Sequence, residues 1–313
     1  GSEFMPPLYE GGLLYMPMTL PGVSPAKARE ILQVTNRQLM QAPEIEHVFG
    51  KAGRADTATD PAPLAMIETW IELKPRDQWR EGMTPQKLIA DLNKRVGLPG
   101  MMDSWGYPIK IRLDMLTTGI RTPVGIKIAG SDLQEIDRIA KAVEGRAKAV
   151  QGTRSAIADR VVGGKYIEII PDRRELARYG IALKTVQQVI QTALGGMQLD
   201  EAVEGRERYP IMLRYDRPYR EHISDLDNIL VSAPNGAHIP LADLADIRIA
   251  EGPSMIKSED ARLNGWVFVD IEGRDIGSYI SDLKEALKTL ELPQGYTLKF
   301  SGQFEQIQEA NER

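Results

Sequence analysis

The sequence predicts an α+β protein made of two ferredoxin-like (split βαβ) units, with a further domain inserted into the second unit. Over residues 13–116, short strands and amphipathic helices follow the order strand, helix, strand, strand, helix, strand, which is the order of a split βαβ unit. A related order restarts at TPVGIKIAG (122–130) and is interrupted between about Tyr166 and Gly252. It resumes with ARLNGWVFVDIEG (261–273), so the interruption is predicted to be an inserted domain.

Two helix starts define the first unit. Ser24-Pro25 and Thr84-Pro85 each combine an N-cap side chain with a proline at the first helical position. They predict helices that run from Ser24 to about Gln41 and from Thr84 to about Val96. The predicted strands of this unit are LLYMPMTL (13–20), EHVFGKAG (46–53), MIETWIELK (66–74) and PIKIRLDML (108–116).

The second unit has the same elements on either side of the insertion. Its strand at 122–130 precedes a predicted helix from Asp132 to about Val150 and the strand TRSAIADR (153–160). After the insertion, a helix from Gly277 to about Leu290 and the strand YTLKFSG (296–302) complete it.

The insertion has its own predicted helix and strands, and each end of the chain has a recognisable sequence pattern. LARYGIALKTVQQVIQTALGG (176–196) predicts one helix, and short strands separated by turns follow it. Residues 1–4, Gly-Ser-Glu-Phe, have the sequence of a cloning scar. The polar run SGQFEQIQEANER begins a helical pattern, and residues 309–313 are interpreted as the truncated start of a further helix.

Composition excludes several classes of function. The chain has 313 residues and a net charge of -5, and it has no clustered Lys/Arg stretch, so a nucleic-acid partner is not predicted. It has no cysteine, which excludes disulfides, thiolate zinc sites and cysteine nucleophiles. Its three histidines, His47, His222 and His238, are far apart. The 12 methionines are therefore the only abundant soft ligands.

Strand periodicity assigns faces to the methionines that lie in predicted strands. Met16 and Met18 share a face with apolar residues, which favours core packing. Met66 lies beside Glu68 on the polar face of its strand, where packing explains it less well. Met115 shares a face with apolar neighbours. Periodicity does not show whether these side chains meet, because about 50 residues separate each of the three segments from the next.

Six stretches of the chain resemble one known family. They closely resemble the copper/silver efflux transporters of the RND superfamily, in its heavy-metal branch (the CusA/SilA type), and the resemblance extends from Phe4 to Arg313. The loop ATDPAP leading into MIET is the most specific of these matches. The stretches are FMPPLYEGGLLYMPMTLPG, VFGKAGRADTATDPAPLAMIET, RLDMLTTGIRTPVGIKI, RYGIALKTVQQVIQTALGG, EGRERYPIMLRY and IPLADLADI.

The resemblance implies a domain organisation. In that family this span is the second large periplasmic loop of an inner-membrane protein of Gram-negative bacteria. It would supply a first porter subdomain (5–120), a second, discontinuous porter subdomain (121–170 and 251–308) and a docking subdomain (171–250) inserted in the second. The implied partners are the parent membrane domain, two further copies in a homotrimer, a periplasmic adaptor, an outer-membrane channel and a periplasmic metallochaperone.

The resemblance also implies a metal site. Family members bind Cu(I) or Ag(I) through three methionines in the cleft between the porter subdomains, and these positions correspond here to Met16, Met66 and Met115. Charged residues that line the family's cleft correspond to Asp60, Glu68, Arg112 and Arg121. No role carries over to Met18, Met101, Met102 or Met197.

Thioethers suit a monovalent soft cation. They are polarizable and neutral, and they have no proton to lose, so binding would be nearly independent of pH. The resemblance therefore implies a non-enzymatic, proton-driven metal antiporter whose periplasmic portion captures Cu(I) or Ag(I).

Three other functions remain to be weighed. A divalent-cation (Zn/Co/Ni) pump fragment would use carboxylates such as Asp60 and Glu68, but it would need histidine or carboxylate in place of Met16 and Met115. A pure assembly or binding module without its own metal site is compatible with the fold, since fold alone does not define function. A hydrolase has no support, because the chain contains no Gly-x-Ser-x-Gly nucleophile motif.

Overall fold

The structure is a computed structural model that describes residues 9–19, 22–55, 60, 62–98, 101, 103–305 and 307. The predictions for residues 1–4 and 309–313 fall outside these residues. The α+β class is confirmed. The chain divides into two bodies, one of residues 1–164 with 252–313 and the other of residues 165–251.

In the described residues, the first ferredoxin-like unit contains a four-stranded antiparallel sheet and three α-helices. The strand order is β2-β3-β1-β4, and each neighbouring pair is antiparallel, as in a split βαβ sheet. Its elements are β1 (Gly12–Tyr15), α1 (Pro25–Leu39), β2 (Ile45–Ala52), β3 (Ile67–Leu73), α2 (Pro85–Val96), β4 (Trp105–Gly106) and α3 (Pro108–Thr118).

The helix starts predicted from Ser24 and Thr84 are confirmed. The Ser24 hydroxyl accepts a hydrogen bond from the backbone N–H of Lys27 (3.1 Å), and the Thr84 hydroxyl accepts one from Lys87 (3.3 Å). A proline follows each cap at the first helical position, where its missing N–H costs nothing. The apolar faces of α1 and α2 cover one face of the sheet, and their shared core includes Leu13, Tyr15, Leu39, Ile71, Leu88 and Leu92.

The predicted strand at 108–116 is wrong, because this segment forms helix α3. Pro108 occupies the first helical position, and Gly119, with φ of 76°, ends the helix in the left-handed conformation that glycine adopts readily. The alternation of apolar residues was misleading, since Ile109 and Leu113 are 63% and 49% exposed. The fourth strand of the sheet is instead the short β4, which pairs with β1.

The second ferredoxin-like unit begins with β5 (Val124–Gly130), α4 (Leu133–Lys148) and β6 (Thr153–Ala158). The side chain of Asp132 caps α4 by accepting a hydrogen bond from the Glu135 backbone N–H (2.8 Å), so the predicted start of this helix is confirmed.

Residues 165–251 form the second body, which has its own apolar core around Leu176, Val186 and Leu241. The single helix predicted at 176–196 is wrong. Gly180, with φ of 67°, ends a first helix, and a π-helical turn at Gln191–Gly195 follows the second. The elements of the second body are β7 (Gly164–Pro171), α5 (Arg173–Tyr179), α6 (Leu183–Ile190), β8 (Met197–Glu204), β9 (Glu207–Leu213), α7 (Ile223–Leu226), β10 (Leu230–Ser232), β11 (His238–Pro240) and β12 (Ala245–Gly252).

After the insertion, the second unit is completed by β13 (Lys257–Glu259), β14 (Arg262–Ile271), α8 (Ile276–Leu287) and β15 (Thr297–Gly302). The sheet has the order β13-β14-β5-β15, and β6 pairs with β14 further along that strand. The order β6-β14-β5-β15 thus repeats the strand order of the first unit. Helices α4 and α8 cover one face of this sheet, where Ile126, Ile139, Val267 and Leu283 are buried. Within the described residues, no helix is both long and apolar enough to span a bilayer.

Candidate metal centre

The face of the first sheet that points away from α1 and α2 carries three methionines. Leu13 and Tyr15 belong to the helix-covered core, so the alternate residues of β1 lie on the opposite face. Leu14 is paired with Trp70, and Met18 is paired with Met66 in an isolated antiparallel bridge that continues the same register. The sheet therefore presents Leu14, Met16 and Met18 on the same face as Met66 and Glu68.

Helix α3 lies at this face and supplies the third predicted ligand. Ile111 and Met115 are four residues apart on α3, so their side chains lie one above the other on the helix surface. Ile111 is buried with Leu14 and Met16, and Met66 and Met115 pack against them. We call Leu14, Met16, Met66, Ile111 and Met115 the methionine cluster. The structure thus brings together the three methionines identified from the sequence.

A cavity of about 970 Å³ borders the methionine cluster. All of its walls belong to the first body, and both ferredoxin-like units contribute to them. Six of the methionines that the structure describes line it. Three of these were not assigned a role from the sequence, namely Met18, Met101 and Met255, whereas Met102 lies outside the described residues and Met197 belongs to the second body.

The polar wall of the cavity is organised by Lys51. Its ammonium group contacts the carboxylates of Asp60 (2.8 Å) and Glu68 (3.2 Å), and Glu68 also contacts Arg112 (3.4 Å). Burial by itself would lower the pKa of Lys51, but its hydrogen bonds to the two carboxylates outweigh burial and raise that pKa. Lys51 was not predicted from the sequence. Lys51 is paired with Glu68 in the register of β2 against β3. Each side chain lies on the polar face of its own strand, but only the pairing of the two strands brings them together.

Asp60 is held in its ionised form. Its carboxylate accepts hydrogen bonds from Lys51 and from the backbone N–H groups of Ala55 (2.9 Å) and Ala62 (3.1 Å). These bonds, with that from Lys51 the strongest, lower the pKa of Asp60 to about 2. The carboxylate therefore serves to shape this wall through its hydrogen bonds.

We expect the stability conferred by Asp60 to be lost in acid. Because its folded-state pKa of about 2 lies below its ordinary value of 3.8, the contribution is fully present above about pH 4 and disappears as the pH falls from 4 towards 2. Between pH 6 and pH 3, wild type should lose about 1 kcal/mol more than the Asp60→Asn variant. Urea unfolding at both pH values measures this difference, and parallel losses in the two proteins would contradict it.

Arg121 approaches the cavity from the segment that follows α3. The residue is buried, with 8% of its surface exposed. Its guanidinium group donates a hydrogen bond from Nη2 to the sulfur of Met18 and lies 4.3 Å from the ring centroid of Phe268. Its Nε has no hydrogen-bond partner among the described residues. Burial lowers the pKa of Arg121 to about 10, against the opposing effect of Asp159, so the group remains a cation at neutral pH.

The second ferredoxin-like unit contributes further cavity residues that were not predicted from the sequence. Trp266 and Phe268 on β14 line the cavity. Lys257 on β13 lies 4.3 Å from the Trp266 ring centroid and forms an ion pair with Asp159. No local pattern signals these residues, since they reach the cavity only because the two units pack together.

Oxygen and nitrogen ligands do not form an alternative centre in the part of the chain that the structure describes. There, no group of three or more His, Asp or Glu side chains is arranged to hold a metal ion. The side chains of Asp60 and Glu68 are both engaged with Lys51. Among the described residues, the candidate metal ligands beside the cavity are therefore the thioether sulfurs of the methionine cluster.

Fold and site together define a module of two ferredoxin-like units with a thioether-lined cavity between them. The chain belongs to the AcrB/AcrD/AcrF family, whose family model matches residues 1–313. The predicted resemblance to the CusA/SilA type of heavy-metal RND transporter is confirmed.

Individual relatives agree with this assignment. The chain is 47% identical to the putative cation efflux system protein SilA of Salmonella typhimurium and 46% identical to the cation efflux system protein CusA of Escherichia coli (strain K12). Each match covers 100% of this chain and 30% of the relative, so the chain spans about a third of their length. The crystal structure of a heavy metal efflux pump matches with a TM-score of 0.88 and 29% identity, over 97% of this chain and 32% of that one.

Proposed function

We propose that this chain is the metal-capturing periplasmic portion of a proton-driven efflux pump that exports Cu(I) or Ag(I). In this proposal the ion is the transported substrate, and Met16, Met66 and Met115 bind it through their thioether sulfurs. The observation that carries the proposal is the convergence of these three methionines, from three distant segments, in one cluster beside the cavity.

The chemistry of the donor set supports a soft monovalent ion. Neutral, polarizable sulfur favours Cu(I) and Ag(I), whereas Zn²⁺ favours thiolate, imidazole or carboxylate. Met16 is 1% exposed and Met66 and Met115 are half-buried, so an ion held there would be largely removed from water. Three neutral ligands on separate elements can also be drawn apart, which suits release of a transported ion.

The relatives' names support the transport role. They are called cation efflux proteins, so we infer a transporter portion and not an enzyme. We propose that the parent protein lies in the inner membrane of a Gram-negative bacterium with this portion in the periplasm. We further propose that it acts as a homotrimer with a periplasmic adaptor and an outer-membrane channel, and that a periplasmic metallochaperone delivers the ion.

A titration followed at the methionine methyl groups by NMR tests this function. We expect Ag(I) to shift the signals of Met16, Met66 and Met115 most, and to leave that of Met40, which is 46% exposed and outside the cavity, unchanged. Zn²⁺ should bind far more weakly, because thioethers are poor zinc ligands. Equal affinity for the two ions, or shifts confined to other methionines, would overturn the proposal.

A divalent-cation pump is the second candidate, and a specific observation counts against it. The carboxylates that would bind such an ion, Asp60 and Glu68, are held by Lys51 at 2.8 Å and 3.2 Å. A divalent ion would have to displace this ammonium group and would face its charge. The zinc arm of the titration separates the two candidates.

A further inference from the structure

We propose that Met18 and Met66 form a second, outer position for the soft ion, and that Arg121 restrains this position. The inference rests on the proposed function and deepens it, because Met66 would belong to both positions. The ion would enter between Met18 and Met66 and then pass to Met16, Met66 and Met115 without losing contact with the Met66 sulfur.

The pairing of the two strands places Met18 and Met66 side by side. They are directly opposite in an antiparallel bridge. The flanking hydrogen bonds run from the Thr19 N–H to the Ala65 carbonyl (2.9 Å) and from the Ile67 N–H to the Pro17 carbonyl (3.1 Å). Met18 and Met66 are therefore a non-hydrogen-bonded pair, the kind in which Cα atoms are about 4.5 Å apart and the side chains lie closest.

The surroundings of Met18 differ from those of the inner methionines. Met16 is buried in the methionine cluster, whereas Met18 is half-buried and packs with Ile120 and Phe268. Both Met18 and Met66 line the cavity. Met16 and Met115 line it too, but Met18 is more exposed than Met16, so we place the outer position, which an entering ion would reach first, at the Met18–Met66 pair.

Two thioethers are enough for a transient position. Soft monovalent ions accept low coordination numbers and prefer sulfur donors. Because Met66 is common to the pair and to the inner set, one ion can move between them by exchanging Met18 for Met16 and Met115. Two ions would not occupy both positions at once, since they would share a ligand and repel each other.

Arg121 opposes occupation of the outer position in two ways. Its Nη2 donates a hydrogen bond to the Met18 sulfur, which engages a lone pair that a metal would use. Its positive charge is buried beside that sulfur, and a buried cation repels a second cation more strongly than an exposed one does. The Arg121 Nε has no hydrogen-bond partner among the described residues, and Asp159, whose charge acts on Arg121, forms its ion pair with Lys257. Loading of Met18 therefore requires Arg121 to move away.

The outer position can be measured when the inner one is broken. A Met16→Leu/Met115→Leu variant keeps Met18 and Met66, and exchange of methionine for leucine nearly conserves side-chain volume. We expect this variant to bind Ag(I) more weakly than wild type, with shifts of the Met18 and Met66 methyl signals. Adding Met18→Leu should lower the remaining affinity about tenfold, and adding the matched control Met40→Leu should not change it.

Removal of the restraint gives an independent readout. In the same background, Arg121→Gln should raise Ag(I) affinity about tenfold, because the competing charge is gone. If that variant does not fold, the Met18→Leu comparison decides alone. An unchanged affinity on Met18→Leu, or an unshifted Met18 methyl signal, would overturn the inference. If wild type itself fails to bind Ag(I) through Met16, Met66 and Met115, the proposed function fails instead.

Discussion

Replacement of Met66 by leucine is expected to weaken Ag(I) binding about a hundredfold, which corresponds to about 2.7 kcal/mol. Met66 directly precedes β3 and packs in the methionine cluster. It is also paired with Met18 in the antiparallel bridge. Leucine has a similar volume and no donor atom, so the change removes a ligand and leaves the packing nearly intact. Isothermal titration with Ag(I), under conditions that keep the ion free of competing halide, measures the loss.

Two matched variants sharpen this test. Met40→Leu changes a methionine outside the cavity, and Met255→Leu changes one that lines it but lies outside the methionine cluster. Both should bind Ag(I) with nearly wild-type affinity. If Met66→Leu behaves like these two, or if Met255→Leu is as damaging, then the ligand set proposed here is wrong.

Replacement of Arg80 by methionine is expected to destabilise the first ferredoxin-like unit by about 3 kcal/mol. The Glu44 side chain is fully buried, and Arg80 contacts both of its carboxylate oxygens, at 2.6 Å and 3.0 Å. Burial by itself would raise the pKa of Glu44, but the hydrogen bonds from Arg80 keep that pKa below its ordinary value. Without Arg80, the buried Glu44 carboxylate would lose its counter-ion. Removal of one partner of a buried ion pair is strongly destabilising, because it leaves an uncompensated charge in the protein interior.

The pH dependence of unfolding distinguishes this cause from a general loss of packing. In wild type, the lowered pKa of Glu44 gives stability that is present above its ordinary pKa of 4.5 and is lost as the pH falls below it. In Arg80→Met, burial should raise the pKa of Glu44, so stability should increase as the pH is lowered from 7 towards about 5. Urea unfolding followed by tryptophan fluorescence measures both effects.

Arg95→Met provides the control for Arg80→Met. Arg95 forms an ion pair with Asp91 at 3.1 Å, and Asp91 also contacts Arg80 at 2.8 Å. Because Asp91 is partly exposed and retains Arg80, the loss of Arg95 should cost less than about 1 kcal/mol. A comparable loss in the two variants would show that burial of Glu44 is not the source of the effect.

Local sequence signals predicted most of the fold correctly. The caps at Ser24, Thr84 and Asp132 mark real helix starts, because capping is decided within one turn of the chain. The wrong prediction of a strand at 108–116 also came from a local pattern, the alternation of apolar residues. Residues 111 and 115 share a face in a helix and also in a strand. The prediction that Met115 shares a face with apolar neighbours is therefore confirmed by its contact with the cluster that contains Ile111, although the predicted secondary structure is wrong.

The candidate site was predicted in part. The identities of Met16, Met66 and Met115 followed from motif similarity, and the position of Met66 on the polar face of its strand followed from periodicity. Lys51, Trp266 and Phe268 were missed, and Met18 was assigned no role. Each of these four residues acquires its neighbours from a different strand or a different unit, and no single segment carries that information.

By itself, then, the sequence determined the supply of soft ligands, the absence of thiols, the helix starts and the order of elements that makes two ferredoxin-like units. These properties depend on residue type and on spacing along a few turns. Tertiary structure alone decided that residues 16, 66 and 115 converge, that Met18 is paired with Met66, and that Arg121 binds the Met18 sulfur. The physical reason is the register of β1 against β3 and the packing of α3 on their free face, which bring together side chains that lie about 50 residues apart along the chain.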